Sequence, residues 1–349
     1  MTGQQTHRTR QRLPRHSRRR TLTGMLAMAL GLAMFTPAEA GKPTHQVTTV
    51  AGSTVQSAAL AQAKGEDPKP AKGGRPTPKG PKKQTSCGPV IHKADGTPWT
   101  CTLAENFDGD ALDRDLWLPQ RTDHSGWQHG NACVVDDEEN IEVSGGTLKL
   151  HTRKQDEPFT CKSPWGAYEA EYTAASISTY QRFTQAYGRF EFRAKFPDAK
   201  VPGIHSALWM WPEDDQKYGP WPHSGEIDIA EFYSTYPDRL IPMLHYDAPM
   251  HPGDDSLTSG RTNYWCTLDP TQWTTYAAEW TPRGITITYG DQVCLDHEWA
   301  ANPPLTGSQP FDQPFMLAIS QGIGEAENKR TADTPALATL EVDWVKVWS

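Results

Sequence analysis

Three carboxylates lie within six residues in the segment 225–232, at Glu226, Asp228 and Glu231. Carboxyl groups held this close repel one another and shift one another's pKa values, which costs stability and suits a reactive site. A pair of this kind can supply a nucleophile and a general acid/base to one substrate. The segment is therefore the first candidate for a catalytic centre.

The apolar residues of the same segment predict a β-strand, because Ile and Phe favour strands. Residues two apart on a strand share a face, so Glu226 and Asp228 point to one side of the sheet. Glu231 follows Glu226 by five residues, and plain alternation would turn it towards the apolar side. A buried carboxylate without a partner would cost several kcal/mol there.

One extra residue in the strand removes this conflict. A β-bulge near Ala230 resets the phase, so that the three acids line one face. The other face then carries Ile227, Ile229 and Phe232. The Cα atoms of the two Glu residues would lie roughly 13 Å apart. Side chains leaning inward on a curved strand would bring the carboxyl groups within about 5–6 Å, the separation of a retaining glycosidase.

A solvated acidic edge strand is the alternative explanation for the three acids. An edge strand more often carries Lys, and it needs no bulge to keep its acids together. The catalytic interpretation accounts for the spacing, and the edge strand does not.

The elements around this segment are predicted to be short strands. Apolar and polar residues alternate in four clear stretches, 147–152, 187–196, 284–289 and 338–348. Gly, Pro, Asn and Asp separate such stretches, and no long amphipathic helical pattern occurs. This pattern predicts an all-β sandwich. Residues 87–349, about 263 in number, fit one large domain.

Residues 1–40 have the pattern of an export signal peptide. Seven arginines precede an apolar stretch at 22–35, and an A-x-A cleavage pattern follows at 38–40. About 14 apolar residues are too few to span a bilayer, and no later stretch is long enough. We therefore expect a secreted chain without a transmembrane segment. Residues 17–22 resemble a twin-arginine signal, which makes that export route a hypothesis.

Residues 41–86 contain no aromatic residue and few apolar ones, and they include a Pro/Gly/Lys tract at 73–83. This composition predicts a disordered basic linker. A solvated tether is the simplest role for it. Attachment of the chain to an anionic cell envelope is the alternative.

Charge divides the chain at the end of this linker. Residues 1–86 hold 15 Lys and Arg against 3 Asp and Glu, whereas residues 87–349 hold 19 against 39. The acidic domain would repel nucleic acid phosphates, so nucleic-acid binding is not expected. It also disfavours strongly anionic polysaccharides. A neutral substrate fits best.

Aromatic residues are concentrated in the acidic domain. All 13 Trp and all 11 Tyr follow residue 90. Indole and phenol faces can stack on sugar rings in a cleft, and they can equally fill a core.

Six cysteines in an exported chain predict three disulfides. They are Cys87, Cys101, Cys133, Cys161, Cys266 and Cys294. Fifteen connectivities are possible. We predict pairing in sequential order, because each loop is then short. No C-x-x-C spacing indicates zinc or redox chemistry.

Together these motifs resemble glycoside hydrolase family 16. The bulged branch of that family carries E-x-D-x-x-E, and residues 226–231 match it position for position. Further blocks are similar to the family's strands and follow in its order, at 187–195, 207–212, 276–287, 311–315 and 342–348. The resemblance extends from about residue 106 to residue 349, which is far more specific than one hexapeptide.

The resemblance implies a jelly-roll sandwich of two curved antiparallel sheets with a concave substrate cleft. It implies retaining hydrolysis of β-linked glycans, with Glu226 as nucleophile, Glu231 as general acid/base and Asp228 assisting between them. The bulged motif favours the laminarinase-like branch, which cleaves β-1,3- or mixed β-1,3/1,4-glucan. No cofactor is expected for catalysis.

The predicted substrate contacts are Trp209, Trp211, Trp221, His245, Asn131 and Arg193. Trp221 comes just before the catalytic strand, between two prolines. His245 would lie on a neighbouring strand, where the resemblance puts a polar residue near the nucleophile; a structural histidine is the alternative. Trp209 and Trp211 share a face and are either cleft platforms or core residues. Arg193 is either a sugar contact or an ordinary ion-pair partner.

The resemblance also implies one structural calcium on the convex face. Asp343 matches the ligand on the family's last strand, with backbone carbonyls near Glu105 and Gly146 as partners. A hydrogen-bonded Asp343 without an ion is the alternative. Calcium there would stabilise the fold and take no part in catalysis.

Two other functions remain open at this stage. A transglycosylase acting on β-glucans would use the same residues, with a sugar intercepting the glycosyl-enzyme. A non-catalytic, lectin-like carbohydrate-binding protein would use the same sandwich, but binding alone needs none of the three carboxylates. We expect a monomer whose partner is a neutral β-glucan.

Overall fold

A computed structural model describes residues 86–248 and 260–349. The predicted signal peptide at 1–40 and all but the last residue of the predicted linker at 41–86 lie outside the described residues.

Strands dominate the part of the chain that the structure describes. Its eighteen strands are β1 (Cys101–Glu105), β2 (Leu118–Pro119), β3 (Gln128–His129), β4 (Ala132–Val134), β5 (Ile141–Ser144), β6 (Thr147–Ser163), β7 (Gly166–Ser178), β8 (Thr184–Gln185), β9 (Gly188–Lys195), β10 (Ile204–Pro212), β11 (Glu226–Tyr233), β12 (Ile241–His245), β13 (Gly260–Thr262), β14 (Thr274–Trp280), β15 (Gly284–Tyr289), β16 (Gln292–Glu298), β17 (Phe315–Ile323) and β18 (Leu337–Trp348). Among the described residues, helix is confined to a turn of α-helix at Thr122–Ser125 and a 3-10 turn at Ala326–Asn328.

The strands form two antiparallel layers joined through β7. The acid-bearing sheet has the order β13-β12-β11-β10-β17-β7 and contains the three clustered carboxylates on β11. The outer sheet has the order β16-β15-β14-β9-β18-β6-β7. The first half of β7 pairs with β6 and its last residues pair with β17, so one strand passes from layer to layer.

Apolar residues from both sheets meet in one core. On β9, buried and half-buried residues alternate along the whole strand, which leaves Phe190 and Phe192 fully buried. Aromatic contacts cross between the layers, with Phe196 against Phe232 at 6.0 Å and Trp280 edge-on to Phe315 at 5.2 Å. The β-sandwich predicted from the sequence is therefore confirmed.

The four stretches of clear alternation all lie on strands, but two boundaries differ from expectation. The stretch at 147–152 opens a longer strand that ends at Ser163. Polar residues at 154–157 hide the continuation in the sequence, and pairing with β7 supplies it. The block at 311–315 was expected to be a strand, but β17 begins only at Phe315, directly after Pro314.

Three disulfides join Cys87 to Cys101, Cys133 to Cys161 and Cys266 to Cys294. This is the sequential pairing predicted from the short loops. No helix within residues 86–248 and 260–349 has the length and hydrophobicity needed to cross a membrane.

Candidate active site

A β-bulge sets the phase of the acid-bearing strand. On the neighbouring strand β12, Met243 pairs with Asp228 and Ile241 pairs with Glu231. Three steps along β11 therefore match two steps along β12, which places one extra residue between the two acids. The predicted bulge near Ala230 is confirmed.

The bulge brings all three acids to one face. Glu226 pairs with His245 at the other end of the same ladder, and residues 241, 243 and 245 of β12 alternate normally. Directly opposed residues on antiparallel strands share a face. The opposite face is buried in the core through Ile227, Ile229 and Phe232, each at most 1% exposed.

A tyrosine from the outer sheet supports the bulge. The hydroxyl of Tyr289 on β15 donates a hydrogen bond of 3.0 Å to the backbone carbonyl of Ile229. Ladder pairing is interrupted at Ile229, so this carbonyl needs a partner from elsewhere. Tyr289 is buried, and burial raises the pKa of its hydroxyl well above the usual range, which keeps it a donor.

Gly225 sets the entry into β11. Its φ of +87° lies in the left-handed region that favours glycine. A Cβ at this position would approach the rings of Phe311 and Phe315 at 3.0 and 3.2 Å. The glycine therefore lets the chain turn tightly against these rings immediately before Glu226.

Glu226 is held by an indole and lies beside an imidazole. Trp221 donates its Nε1–H to Oε2 of Glu226 at 2.5 Å, and the Trp221 ring lies 5.2 Å from that of His245. Burial raises the pKa of Glu226 to about 8, and the negative charge of Asp228 adds to this effect. His245 and the Trp221 hydrogen bond act in the opposite direction.

Asp228 lies between the two Glu residues and is 3% exposed. Its Oδ2 is 3.2 Å from Nε2 of His245. Burial raises the pKa of Asp228 well above its usual range, and the charge of Glu231 raises it further. Asp228 and Glu226 therefore compete for negative charge, and a proton shared between them relieves the repulsion.

Glu231 is 7% exposed and is held through one oxygen only. Its Oε1 is hydrogen-bonded to Nε2 of His205 and accepts a hydrogen bond from the hydroxyl of Tyr233, both at 3.0 Å. Its Oε2 is buried with no hydrogen-bond partner among the described residues. Burial raises the pKa of Tyr233 well above the usual range, so Tyr233 donates as a neutral phenol.

The two Glu residues therefore have different surroundings on one face of the same strand. Glu226 is held by an indole N–H that favours its charged form. Glu231 is fixed by two hydrogen bonds to a single oxygen. Two carboxyl groups with such different neighbours can take the separate roles of nucleophile and general acid/base.

Two of the predicted substrate contacts lie directly beside the acids. Trp221 bonds Glu226, and His245 contacts Asp228. Both residues flank the first half of β11. Their role in substrate binding stays a prediction.

Trp209 and Trp211 share the face of the acids but are covered. Trp209 pairs with Asp228 across the β10–β11 ladder, and both indoles are only 4% exposed. Trp127 stacks on Trp209 at 5.7 Å, and the Trp209 Nε1–H donates to Ser320. Neither ring is exposed enough to stack on a sugar, and both are packed beside the acids.

Arg193 and Asn131 lie away from the carboxylates. Arg193 lies on β9 of the outer sheet, between the fully buried Phe192 and Ala194, so its side chain points away from the core and from the acid-bearing sheet. Its guanidinium forms an ion pair with Asp343, which is the alternative given for it above. Asn131 is exposed in the β3–β4 turn and donates to the Glu169 carbonyl at 3.2 Å.

Asp343 does not fit a calcium ligand. It is the extra residue of a bulge in β18, and its carboxylate forms an ion pair with Arg193. A guanidinium therefore already compensates the charge of this carboxylate, so its contacts do not call for a cation. No step below involves a calcium ion.

One group of three possible metal-ligand side chains occurs in the described ranges. It consists of Glu226, Asp228 and His245, whose ligand atoms lie within 4.8 Å of one another. These are the atoms of the acid cluster itself, so we assign no metal there.

Three residues of the site were not predicted from the sequence, His205, Tyr233 and Tyr289. Strand parity offered a signal for two of them, since His205 lies two strand repeats before Trp209 and Tyr233 lies two residues after Glu231. Tyr289 gave no signal, because it reaches the acid-bearing strand from a distant part of the chain.

Comparison with known proteins gives a family match over most of the sandwich. The family model described as Glycosyl hydrolases family 16 matches residues 128–346. A beta-glucanase of Rhodothermus marinus is 31% identical over 276 residues, which cover 73% of this chain and 87% of that protein.

A solved structure and a second relative extend the comparison. The laminarinase from Rhodothermus marinus has a jelly-roll sandwich similar to this one, with a TM-score of 0.59 at 29% identity over 72% of this chain and 97% of that chain. A beta-1,3-glucan-binding protein of Penaeus monodon is 46% identical over 178 residues, 44% of this chain and 46% of that protein.

Proposed function

The chain belongs to glycosyl hydrolases family 16, and we propose that it is a retaining endo-β-1,3-glucanase with Glu226 as nucleophile and Glu231 as general acid/base. The observation that carries the proposal is the bulge in β11, which gathers three carboxylates on one face while Ile227 and Ile229 remain in the core.

In the first step, Glu226 attacks the anomeric carbon of a β-linked sugar. The Trp221 N–H holds Oε2 of Glu226, which leaves the other carboxylate oxygen for attack. Glu231 gives its proton to the departing glycosidic oxygen, so the bond breaks without releasing an alkoxide. The product is a sugar bound covalently to Glu226 through an ester.

In the second step, water attacks the same carbon. Glu231, now a carboxylate, removes a proton from the water, and the sugar leaves with its original configuration. Asp228 shares a proton with Glu226 and so limits repulsion in the cluster as the charges change. Carboxyl groups perform every step, so no cofactor is required.

The substrate class follows from charge and from the relatives. A laminarinase and a beta-1,3-glucan-binding protein are among the proteins similar to this chain. The acidic composition of residues 87–349 disfavours anionic glycans. A neutral β-1,3-glucan, or a mixed β-1,3/1,4-glucan, therefore fits best.

The sequence features outside the sandwich complete the proposal. Residues 1–40 would direct export, residues 41–86 would act as a linker, and residues 87–349 would form the catalytic domain. Three disulfides are consistent with folding in an oxidising compartment.

The test is hydrolysis of laminarin, lichenan, agarose and xyloglucan, with viscosity and reducing ends followed together. We expect laminarin to lose viscosity before many reducing ends appear, as for internal cleavage. Glu226→Gln should lower this activity by at least about 10⁴-fold. The matched control Glu157→Gln, an exposed carboxyl on the β6–β7 hairpin, should retain it. Near-normal turnover by Glu226→Gln would contradict the proposal.

The same assay separates the two alternatives. A glucan-binding protein would bind laminarin without producing reducing ends, an outcome for which the Penaeus monodon relative gives a specific reason. A transglycosylase would convert laminari-oligosaccharides into products longer than the substrate. The buried acid cluster favours hydrolytic or transfer chemistry over binding alone.

A further inference from the structure

We propose that His129 and His205 form an imidazole pair that holds Glu231 by Oε1 and so directs its reactive proton to Oε2. The inference rests on the proposed function, in which Glu231 is the general acid/base. It assigns two histidines as positioning residues and one named oxygen as the proton donor.

The two carboxyl oxygens of Glu231 have different hydrogen-bond partners. Oε1 accepts from His205 Nε2 and from the Tyr233 hydroxyl, each at 3.0 Å, and Oε2 has no partner within the described chain although it is buried. A carboxyl group whose Oε1 already accepts two hydrogen bonds carries its proton on Oε2. Oε2 is therefore the oxygen without a protein partner in the described chain, and a glycosidic oxygen reaches it only when the side chains that cover it move aside.

The hydrogen bonds of His205 and His129 determine which ring nitrogen of each carries the proton. His205 donates through Nε2, so its Nδ1 is an acceptor when the ring is neutral. Nδ1 of His205 lies 2.7 Å from Nε2 of His129, which must therefore be the donor of that bond. The chain of donors runs from His129 through His205 to Glu231.

The surroundings of His129 favour its neutral form. Its other nitrogen, Nδ1, is buried and has no partner among the residues described. A protonated ring would leave a donor unsatisfied there, at a cost of about 1–3 kcal/mol or more. Burial lowers the pKa of His129 well below its usual range, and His205 lowers it further.

The surrounding backbone is shaped to admit this pair. Gly322 on β17 pairs with His205, and a Cβ at Gly322 would lie only 2.4 Å from the His129 ring. A Cβ at Gly130 would lie 2.3 Å from the Ile323 carbonyl. Two glycines therefore let the β3–β4 turn bring His129 onto the acid-bearing sheet. The Tyr233 ring stacks on His205 at 4.5 Å and fixes the other side of that imidazole.

The pair acts when Glu231 gives up its proton. The hydrogen bonds to Oε1 then become charge-assisted and about twice as strong, which stabilises the new carboxylate. No proton passes along the pair. His205 keeps its proton on Nε2, facing Glu231, because the Nε2–H of His129 donates to Nδ1 of His205.

Substrates that differ in their need for acid catalysis give the test. A laminari-oligosaccharide needs protonation of its leaving oxygen, and a 2,4-dinitrophenyl β-laminaribioside does not. We expect His205→Asn, whose amide cannot reach the Nε2 position, to lose about 10- to 100-fold in kcat/KM on the oligosaccharide. The loss on the dinitrophenyl substrate should stay below about threefold. His205→Gln, whose amide can reach that position, should restore most of the difference.

His129 provides an independent pair of variants that does not touch Glu231. His129→Asn should show a smaller loss with the same selectivity for the oligosaccharide, and His129→Gln should restore it. The exposed control His92→Asn should leave both substrates unaffected. If His205→Asn does not fold, the His129 variants carry the test.

Two results would overturn the inference. One is an equal loss on both substrates in a folded Asn variant, and the other is identical behaviour of the Asn and Gln variants. Glu231→Ala separates this failure from that of the proposed function. If Glu231→Ala shows the selective loss and the histidine variants do not, only the histidine inference fails. If Glu231→Ala shows no selectivity, the role of Glu231 is itself wrong.

Discussion

At the scale of single residues, Glu226 combines two opposing requirements. As the proposed nucleophile it must be ionised to attack a sugar, yet burial and the neighbouring acids raise its pKa to about 8. The Trp221 N–H and His245 partly offset this cost by favouring the charged form. The site therefore trades stability for reactivity, as strained functional sites commonly do.

The cost of burying a charged Glu226 predicts that Glu226→Gln is more stable than the native protein. The pKa of Glu226 is raised from 4.5 to about 8 on folding, so the folded state binds the proton more tightly than the unfolded state. Ionisation therefore removes stability as pH rises from about 4.5 to about 8. The variant should gain on the order of 3 kcal/mol at pH 7 and little at pH 4, as measured by denaturant unfolding. A gain that is the same at both pH values would contradict the assignment, and Glu157→Gln is the control.

Trp221→Phe should move the acid limb of the kcat/KM profile to higher pH. Removal of the indole N–H takes away a bond to the charged form of Glu226, so the pKa of Glu226 rises further. The nucleophile must be ionised, and activity at neutral pH should fall about tenfold or more. An unchanged acid limb would mean that Trp221 does not act through Glu226.

At the scale of elements, the bulge in β11 depends on a residue from the other sheet. Tyr289 on β15 bonds the Ile229 carbonyl at the point where ladder pairing is interrupted. The contact ties the register of the acid-bearing strand to the packing of the two layers. A bulge without this partner would leave a buried carbonyl unsatisfied.

Tyr289→Phe should therefore destabilise the protein by about 1–3 kcal/mol and lower kcat more than KM changes. Tyr276→Phe is a matched control on the adjacent strand, because its hydroxyl is buried like that of Tyr289 but makes no hydrogen bond to β11 within the described residues. Unfolding midpoints and turnover of the two variants should differ clearly. Equal effects of both substitutions would show that the Ile229 contact has no special importance.

Local pattern predicted the strands and the bulge, because alternation and the conflict at Glu231 are visible within a few residues. The family resemblance predicted the roles of the three acids. The sequence did not predict the direction of Arg193, since parity alone does not say on which sheet a strand lies. His129 contacts His205, which lies 76 positions away, and Tyr289 contacts Ile229, which lies 60 positions away. No local sequence pattern records contacts over such separations.

At the scale of the whole molecule, the proposed catalytic residues lie on the sandwich. The contacts to the three acids seen among the described residues come from within residues 87–349, which also hold most of the acidic charge and the three disulfides. Residues 41–86 have a different composition and contain no aromatic residue. We therefore propose that the sandwich carries substrate cleavage.

A chain that begins at Ser86 should match the longer chain in kcat/KM on soluble laminarin. Its affinity for an anionic surface should be lower if the linker contributes such binding, because residues 41–86 hold eight Lys and Arg residues against two acidic ones. Kinetics on laminarin and sedimentation with anionic vesicles measure the two properties separately. A large loss of kcat/KM would show that the linker takes part in catalysis.

Azide rescue of the two Glu variants tests the central claim most directly, because it reports which face of the sugar each carboxyl group occupies. With a dinitrophenyl β-laminaribioside, Glu231→Ala should still form the ester on Glu226, and azide should then yield the β-glycosyl azide. For Glu226→Ala, azide should replace the missing nucleophile and yield the α-glycosyl azide. The opposite assignment of the two products, or the same anomer from both variants, would contradict the account.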